Sequence, residues 1–187
     1  YITYWVGKHH AGFDPRTRGF DHFYGFLGGA NNCWNPGNAP APGGKMPAIS
    51  GVHKWYFDGP EPVQPYIPDR TDWFATDVFT DQGIKWLKAS EEDGKPFFLY
   101  IAYNAPHWPL QAPQKYIDRC RGRYDAGYDA IRNARYKRQI ESGLFDPEIV
   151  KLTEPDYDQA WDSFTPERLA RRIEQMEVYL SLIHISE

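Results

Sequence analysis

The sequence is poor in cysteine. Its two residues, Cys33 and Cys120, are too few for a disulfide framework and show no zinc-ligand spacing. It has no excess of basic charge. Lys and Arg number 21 against 25 Asp and Glu, a net charge of −4, which argues against a nucleic-acid binder. It has no long apolar run either. The strongest, Phe97 to Tyr103, is far shorter than the roughly 20 residues of a bilayer-spanning helix. No internal repeat or low-complexity segment stands out.

What remains is a globular composition. Of the 187 residues, 41% are apolar and 25% charged, which suits one ordinary domain or part of a larger one. Aromatics reach 17%, and Gly and Pro stand at 16 each, so much of the chain is expected to be loop.

Tyr1 to Val6 reads as a short strand of β-branched and aromatic residues, running into a polar turn from Gly7 to Gly12. Residues 13–29 are rich in Gly and aromatics, and Asn31 to Gly51 is a Gly/Pro/Asn-rich loop. Lys54 to Phe57 forms a short strand before Asp58-Gly59. Thr76 is placed to cap a helix reaching about Ser90, with Phe79, Gly83, Trp86 and Leu87 on one face. Gly94 ends that helix, and Pro96 confirms the stop. Phe97 to Tyr103 then has the pattern of a strand buried on both faces, and helix-then-buried-strand order points to α/β.

Beyond the strand, two prolines stiffen the loop around His107. Residues 114–143 read as a surface helical hairpin, with Tyr116, Tyr124, Tyr128, Ile131 and Tyr136 as candidates for burial. A last helix starts at Thr165-Pro166-Glu167, a cap followed by Pro and an acid in the first turn. Leu180 to Glu187 matches the in-frame translation of a transposase-type sequencing adapter. It is set aside as not native, and expected to pack poorly or to extend the last helix.

In open α/β sheets, ligands collect at the carboxyl ends of strands. Two such loops carry cationic or titrating groups: Lys8 and His10 after the first strand, and His107 after the strand at 97–103. A Lys near two His suits an oxyanion such as sulfate or phosphate. The ammonium stabilises charge on the transferring group, one His serves as a base, and the other protonates a leaving oxygen.

The linear motifs sharpen this. Tyr1-x-Thr3-x-x-Val6-Gly7-Lys8-x-His10 resembles a signature of the sulfatases. Gly19-Phe20-Asp21-x-Phe23-Tyr24-Gly25, then Lys95-Pro96-Phe97-Phe98-Leu99-Tyr100 leading into Ala105-Pro106-His107-x-Pro109, are similar to later elements of that family. Arg121-Gly122-Arg123-Tyr124-Asp125 with Gly127-Tyr128-Asp129 is similar to an insert of the larger arylsulfatases. The four elements stand in family order. The resemblance implies an internal fragment of an arylsulfatase-type enzyme, with a partial alkaline-phosphatase-like α/β sandwich and a mixed, mostly parallel sheet flanked by helices. Residues 1–179 would be part of a single catalytic domain, loop-rich over 30–70, with a helical insert at about 114–145.

At matched positions the resemblance implies that Lys8 contacts sulfate and nucleophile. His10 would deprotonate the formylglycine hydrate, and His107 would bind sulfate and assist the leaving alcohol. The family has an aromatic residue between Lys and His where this chain has His9, so either His9 or His10 could face the site, and the Lys-x-His register favours His10. The family nucleophile, formylglycine made from Cys in Cys-x-Pro/Ala-x-Arg, matches neither Cys33 nor Cys120, which read as ordinary thiols. The calcium ion of the family is held by carboxylate and amide oxygens expected outside this stretch, and Asp21-His22 reads as structural. The partners implied are a small-molecule or carbohydrate sulfate ester and a formylglycine-generating maturation enzyme. The implied location is periplasmic or secreted. Two other readings follow from the residues: a phosphodiesterase or phosphonate monoester hydrolase of the same superfamily, and a non-catalytic carbohydrate-binding module suggested by the Trp and Tyr content.

Overall fold

A computed structural model describes residues 1–36, 55–64, 66–68, 70–156 and 159–185. Most of the expected loop from Asn31 to Gly51, Lys54 and the end of the tail lie outside the described residues. The backbone divides into two compact units, residues 1–112 with 182–187, and residues 113–181.

The first unit is built on a five-stranded mixed sheet. Its strands are β1 (Ile2–His9), β2 (His22–Leu27), β3 (Trp55–Asp58), β4 (Pro62–Val63) and β5 (Phe97–Ala102), in the order β4-β3-β2-β1-β5. β2, β1 and β5 run parallel, and β3 and β4 pair antiparallel at the far edge. Helix α1 (Ala75–Asp93) packs on one face. Val6, Tyr24, Phe26, Tyr56, Trp73, Phe74 and Phe79 form the core there, so most of the unit's aromatics are packing residues.

Four expectations for this unit need correction. The first strand does not end at Val6. Pairing with β2 continues to His9, so Lys8 and His9 are strand residues and not part of a turn. The strand β2 was not foreseen, because Gly25 interrupts its apolar run. Gly25 takes φ +143°, and a Cβ on it would lie only 1.9 Å from Gly7 O, so glycine is what lets β1 and β2 approach here. Helix α1 starts at Ala75 and has no side-chain cap. Cys33 O accepts from Ala75 N at 2.8 Å instead, and Thr76 is buried inside the first turn. Finally, β5 is not buried on both faces. Leu99 lies against the α1-side core, but Phe98 is 53% and Tyr100 45% exposed on the opposite face, where they meet Phe20 and Trp5. β5 ends the sheet order, so one edge of it has no strand partner among the described residues.

Gly94, at φ +64°, closes α1 with its N–H on Ser90 and Glu91 carbonyls.

The second unit is helical: α2 (Gln114–Asp118), α3 (Gly127–Glu141) and most of α4 (Pro166–Ile185). Of the five residues expected to be buried, Tyr124 is; the other four are half-buried, because α3 is charged on all but one narrow face. The Glu177 carboxylate, nearly buried, accepts from Gly122 N at 2.7 Å and lies 3.8 Å from Arg121. The Thr165 hydroxyl accepts from Arg168 N at 3.4 Å, as expected of a cap. Helix α4 runs on through the tail to Ile185. Leu182 is fully buried there, and Ile185 packs on the core of the first unit.

Candidate functional site

Three parallel strands deliver their C-terminal ends to one edge of the sheet. Gly7 of β1 stands opposite Ala102 of β5, so Lys8 lies just beyond that register position while the chain after Ala102 turns into the loop carrying His107. β2 ends at the same edge, where Gly28 N donates to His9 O at 2.8 Å. Lys8, His10 and His107 therefore all sit at this edge, the first two on the end of β1 and the third in the loop after its neighbour.

Each side chain has a distinct environment. Lys8 is half-buried, and burial pushes its ammonium pKa below the ordinary lysine value. His9 is 7% exposed. Its ring meets Trp5 edge-on at 4.6 Å and Phe13 at 4.8 Å, and its Nε2 is buried without a hydrogen-bond partner. Burial lowers its pKa, with Asp14 pulling the other way. His9 thus packs as an aromatic residue. His10, one position on, is exposed, and its ring lies against Gly29, where a Cβ would fall 2.6 Å from Cε1. Any side chain larger than glycine at position 29 would have to displace that ring.

His107 is exposed, with Nδ1 2.6 Å from Trp108 O. A carbonyl only accepts, so Nδ1 carries a proton and Nε2 is the free position: a base when the ring is neutral, a proton donor when it is charged.

Three neighbours carry no role in the sequence reading: Asn104, which stands near His107 in the chain, Gln111 and Asn31. Asn104 is 3% exposed. Its Nδ2 donates to Asn31 O at 3.3 Å, and its own carbonyl accepts from His107 N at 2.9 Å. Gln111 Oε1 accepts from Cys33 N at 2.7 Å. Asn31 Nδ2 and Asn104 Oδ1 are buried without partners. The available signal was polar Asn immediately beyond an apolar strand.

Cys33 is buried and its pKa is raised to about 11, so it stays a thiol. Burial also raises Cys120. Among the described residues no group of three or more His, Cys, Asp or Glu is gathered so as to hold a metal ion. Asp21 has a structural place: its Oδ2 accepts from Thr3 N at 2.8 Å and Thr3 Oγ1 at 2.9 Å, joining the starts of β1 and β2. A cleft of about 460 Å³ lies at that opposite end, lined by Asp21, His22, Asp58 and Lys85 among others, and includes none of the three candidate residues. Among the described residues no helix is long and apolar enough to cross a membrane.

An α/β sheet with its cationic and titrating groups at the carboxyl ends of adjacent parallel strands is the ligand-binding arrangement of open sheets. The chain belongs to the Sulfatase family, whose pattern it matches over residues 1–186. It is 32% identical over 187 residues to an arylsulfatase of Klebsiella aerogenes, covering 98% of this chain and 38% of that protein. It is 30% identical to an uncharacterized sulfatase of Schizosaccharomyces pombe, covering 99% of this chain and 33% of that one. It thus spans 38% and 33% of the length of these two relatives. The crystal structure of Ps i-CgsB in complex with k-i-k-neocarrahexaose aligns with 100% of this chain and 31% of that one, at TM-score 0.51 and 23% identity, and shares the fold.

Proposed function

We propose that this chain is part of an arylsulfatase-type sulfuric ester hydrolase. The observation that carries the reading is the placement of Lys8, His10 and His107 at one edge of parallel strands in a chain of this family. The formylglycine nucleophile and the calcium ion are proposed to come from segments outside these residues. The substrate is a sulfate ester, and a maturation enzyme that makes formylglycine is the implied partner.

The residues present have clear tasks. The Lys8 ammonium, partly withdrawn from water, attracts a sulfate oxyanion more strongly than a solvated lysine would. The His107 ring, with Nδ1 held by Trp108 O, presents Nε2 to an ester oxygen and donates a proton as the alcohol departs. His10, exposed beside Gly29, accepts a proton as general base. The burial of His9 against Trp5 and Phe13 favours His10 for that task.

The test is steady-state kinetics of the complete enzyme on a 4-nitrophenyl sulfate and a matched phosphate diester. Lys8→Ala and His10→Ala should each lower kcat/KM for the sulfate by about 10²-fold or more. Preference for the diester would move the enzyme to a phosphoryl-transfer class. Unchanged kinetics in both variants would remove the proposed site.

A further inference from the structure

The loop from Asn104 to Gln111, which carries His107, is fastened at both ends to one short segment. At its start, Asn104 Nδ2 donates to Asn31 O; at its finish, Gln111 Oε1 accepts from Cys33 N. That segment is itself held firmly. Cys33 O accepts from the first N–H of α1, and Asn32 Oδ1 accepts from Trp34 N and Asn35 N at 2.9 and 3.0 Å. Just upstream, Gly28 is bonded to His9 O and Gly29 abuts the His10 ring.

We propose that Asn104 and Gln111 are positioning residues that staple the His107 loop to the segment beside His10 and so set the two histidines in register. The inference rests on the function proposed above and extends it to two residues that touch neither substrate nor reacting atoms. The physical need is plain. His107 is exposed, and among the bonds of its own loop only His107 N to Asn104 O and Nδ1 to Trp108 O hold it. Those bonds shape the loop but do not say where it sits. The two staple bonds do. They act at the loop's ends, and both Asn104 and the amide of Cys33 are buried, so water does not compete for them freely. A displacement of about 1 Å at a proton-donating group costs on the order of 10²-fold in rate.

The experiment is a double-mutant cycle in the complete enzyme, with an unactivated alkyl sulfate as probe. Gln111→Leu removes the acceptor and should lower kcat/KM by about 10- to 100-fold, mostly in kcat. Gln111→Glu keeps an acceptor oxygen and should recover most of that loss. In a His107→Ala background, Gln111→Leu should cost no more than about 2-fold, because the group it positions is gone. An equal loss in both backgrounds would make Gln111 merely structural and overturn the inference. Should Gln111→Leu not fold, Asn104→Asp, which keeps the shape and removes the donor, carries the same cycle. If the wild-type enzyme turns over no sulfate ester, the functional reading fails separately. The staple is then read by nuclear magnetic resonance on the 187-residue chain. Gln111→Leu should move the Cys33 amide and the His107 ring signals together, and unmoved His107 signals would overturn it.

Discussion

The two ends of the parallel strands are built on opposite principles. At the N-terminal end polar groups are paired. Thr3 and Asp21 exchange hydrogen bonds, Tyr4 and Ser90 share a buried bond at 2.7 Å, and the Tyr4 ring stacks with His22 at 5.1 Å and with Trp86 at 5.0 Å. At the C-terminal end His9 Nε2, Asn31 Nδ2 and Asn104 Oδ1 are buried without partners, while Lys8 is partly withdrawn from water. A buried polar atom left unpaired costs about 1–3 kcal/mol. These three lie beside the candidate residues Lys8, His10 and His107, whereas the polar groups named at the other end satisfy one another and hold the strands in place.

The contrast can be broken in several ways. The largest expected effect is complete. Residues 1–187 expressed alone with calcium should show no sulfatase activity, because neither Cys33 nor Cys120 sits in a Cys-x-Pro/Ala-x-Arg nucleophile motif. Turnover of an aryl sulfate above that of a Lys8→Ala, His10→Ala control would refute this. Next, in the complete enzyme, His107→Ala should cost about 10²-fold or more on esters with poor leaving alcohols and much less on 4-nitrophenyl sulfate. A flat loss across a leaving-group series would leave His107 only a sulfate-binding role. Its melting temperature should barely move, since the ring is exposed.

The N-terminal end should respond the other way. Ser90→Ala strips the buried Tyr4 hydroxyl of its partner and should destabilise the chain by about 1–3 kcal/mol in urea unfolding, with kcat unchanged in the complete enzyme. A kcat loss without a stability loss would show that the two ends are not separable.

The smallest effect is a pH dependence. The His9 pKa in the folded chain is below the ordinary imidazole value of about 6.5. As pH falls below 6.5 the unfolded chain takes up a proton before the folded one, so stability is full above that value and declines as pH drops toward the folded value. His9→Phe should flatten this slope while keeping the packing on Trp5 and Phe13. An unchanged slope in urea titrations between pH 7 and 5 would mean that His9 is not the group responsible.

Much of the fold was legible because local chemistry and periodicity agree. The α1 helix with its Gly94 stop, the α4 start at Thr165-Pro166, and the strands at 1–6 and 97–103 all follow from residue type and spacing. The misses have a common cause. The extension of β1 to His9, the strand β2 with Gly25 at its centre, and the capping of α1 by Cys33 O each depend on a neighbour distant in sequence. No window of local sequence contains that neighbour. The candidate site shows the same division. Lys8, His10 and His107 were readable as residue types at strand ends, whereas Asn104, Asn31 and Gln111 carry no chemistry that distinguishes them from solvated loop residues until burial and pairing are known.

By itself, then, the sequence determined the family and the α/β class, because its motifs and the order of helix and strand are linear properties. It also determined which residue types were available for an oxyanion. Only the tertiary structure set His9 and His10 apart, since one ring packs against Trp5 and Phe13 while the next is exposed beside Gly29. Only the tertiary structure decided that β5 is exposed on one face, and that Asn104 and Gln111 meet the segment 31–33. Side-chain burial and long-range hydrogen bonds are set by what packs across from a residue, and that partner lies about 70 to 80 positions away in the chain.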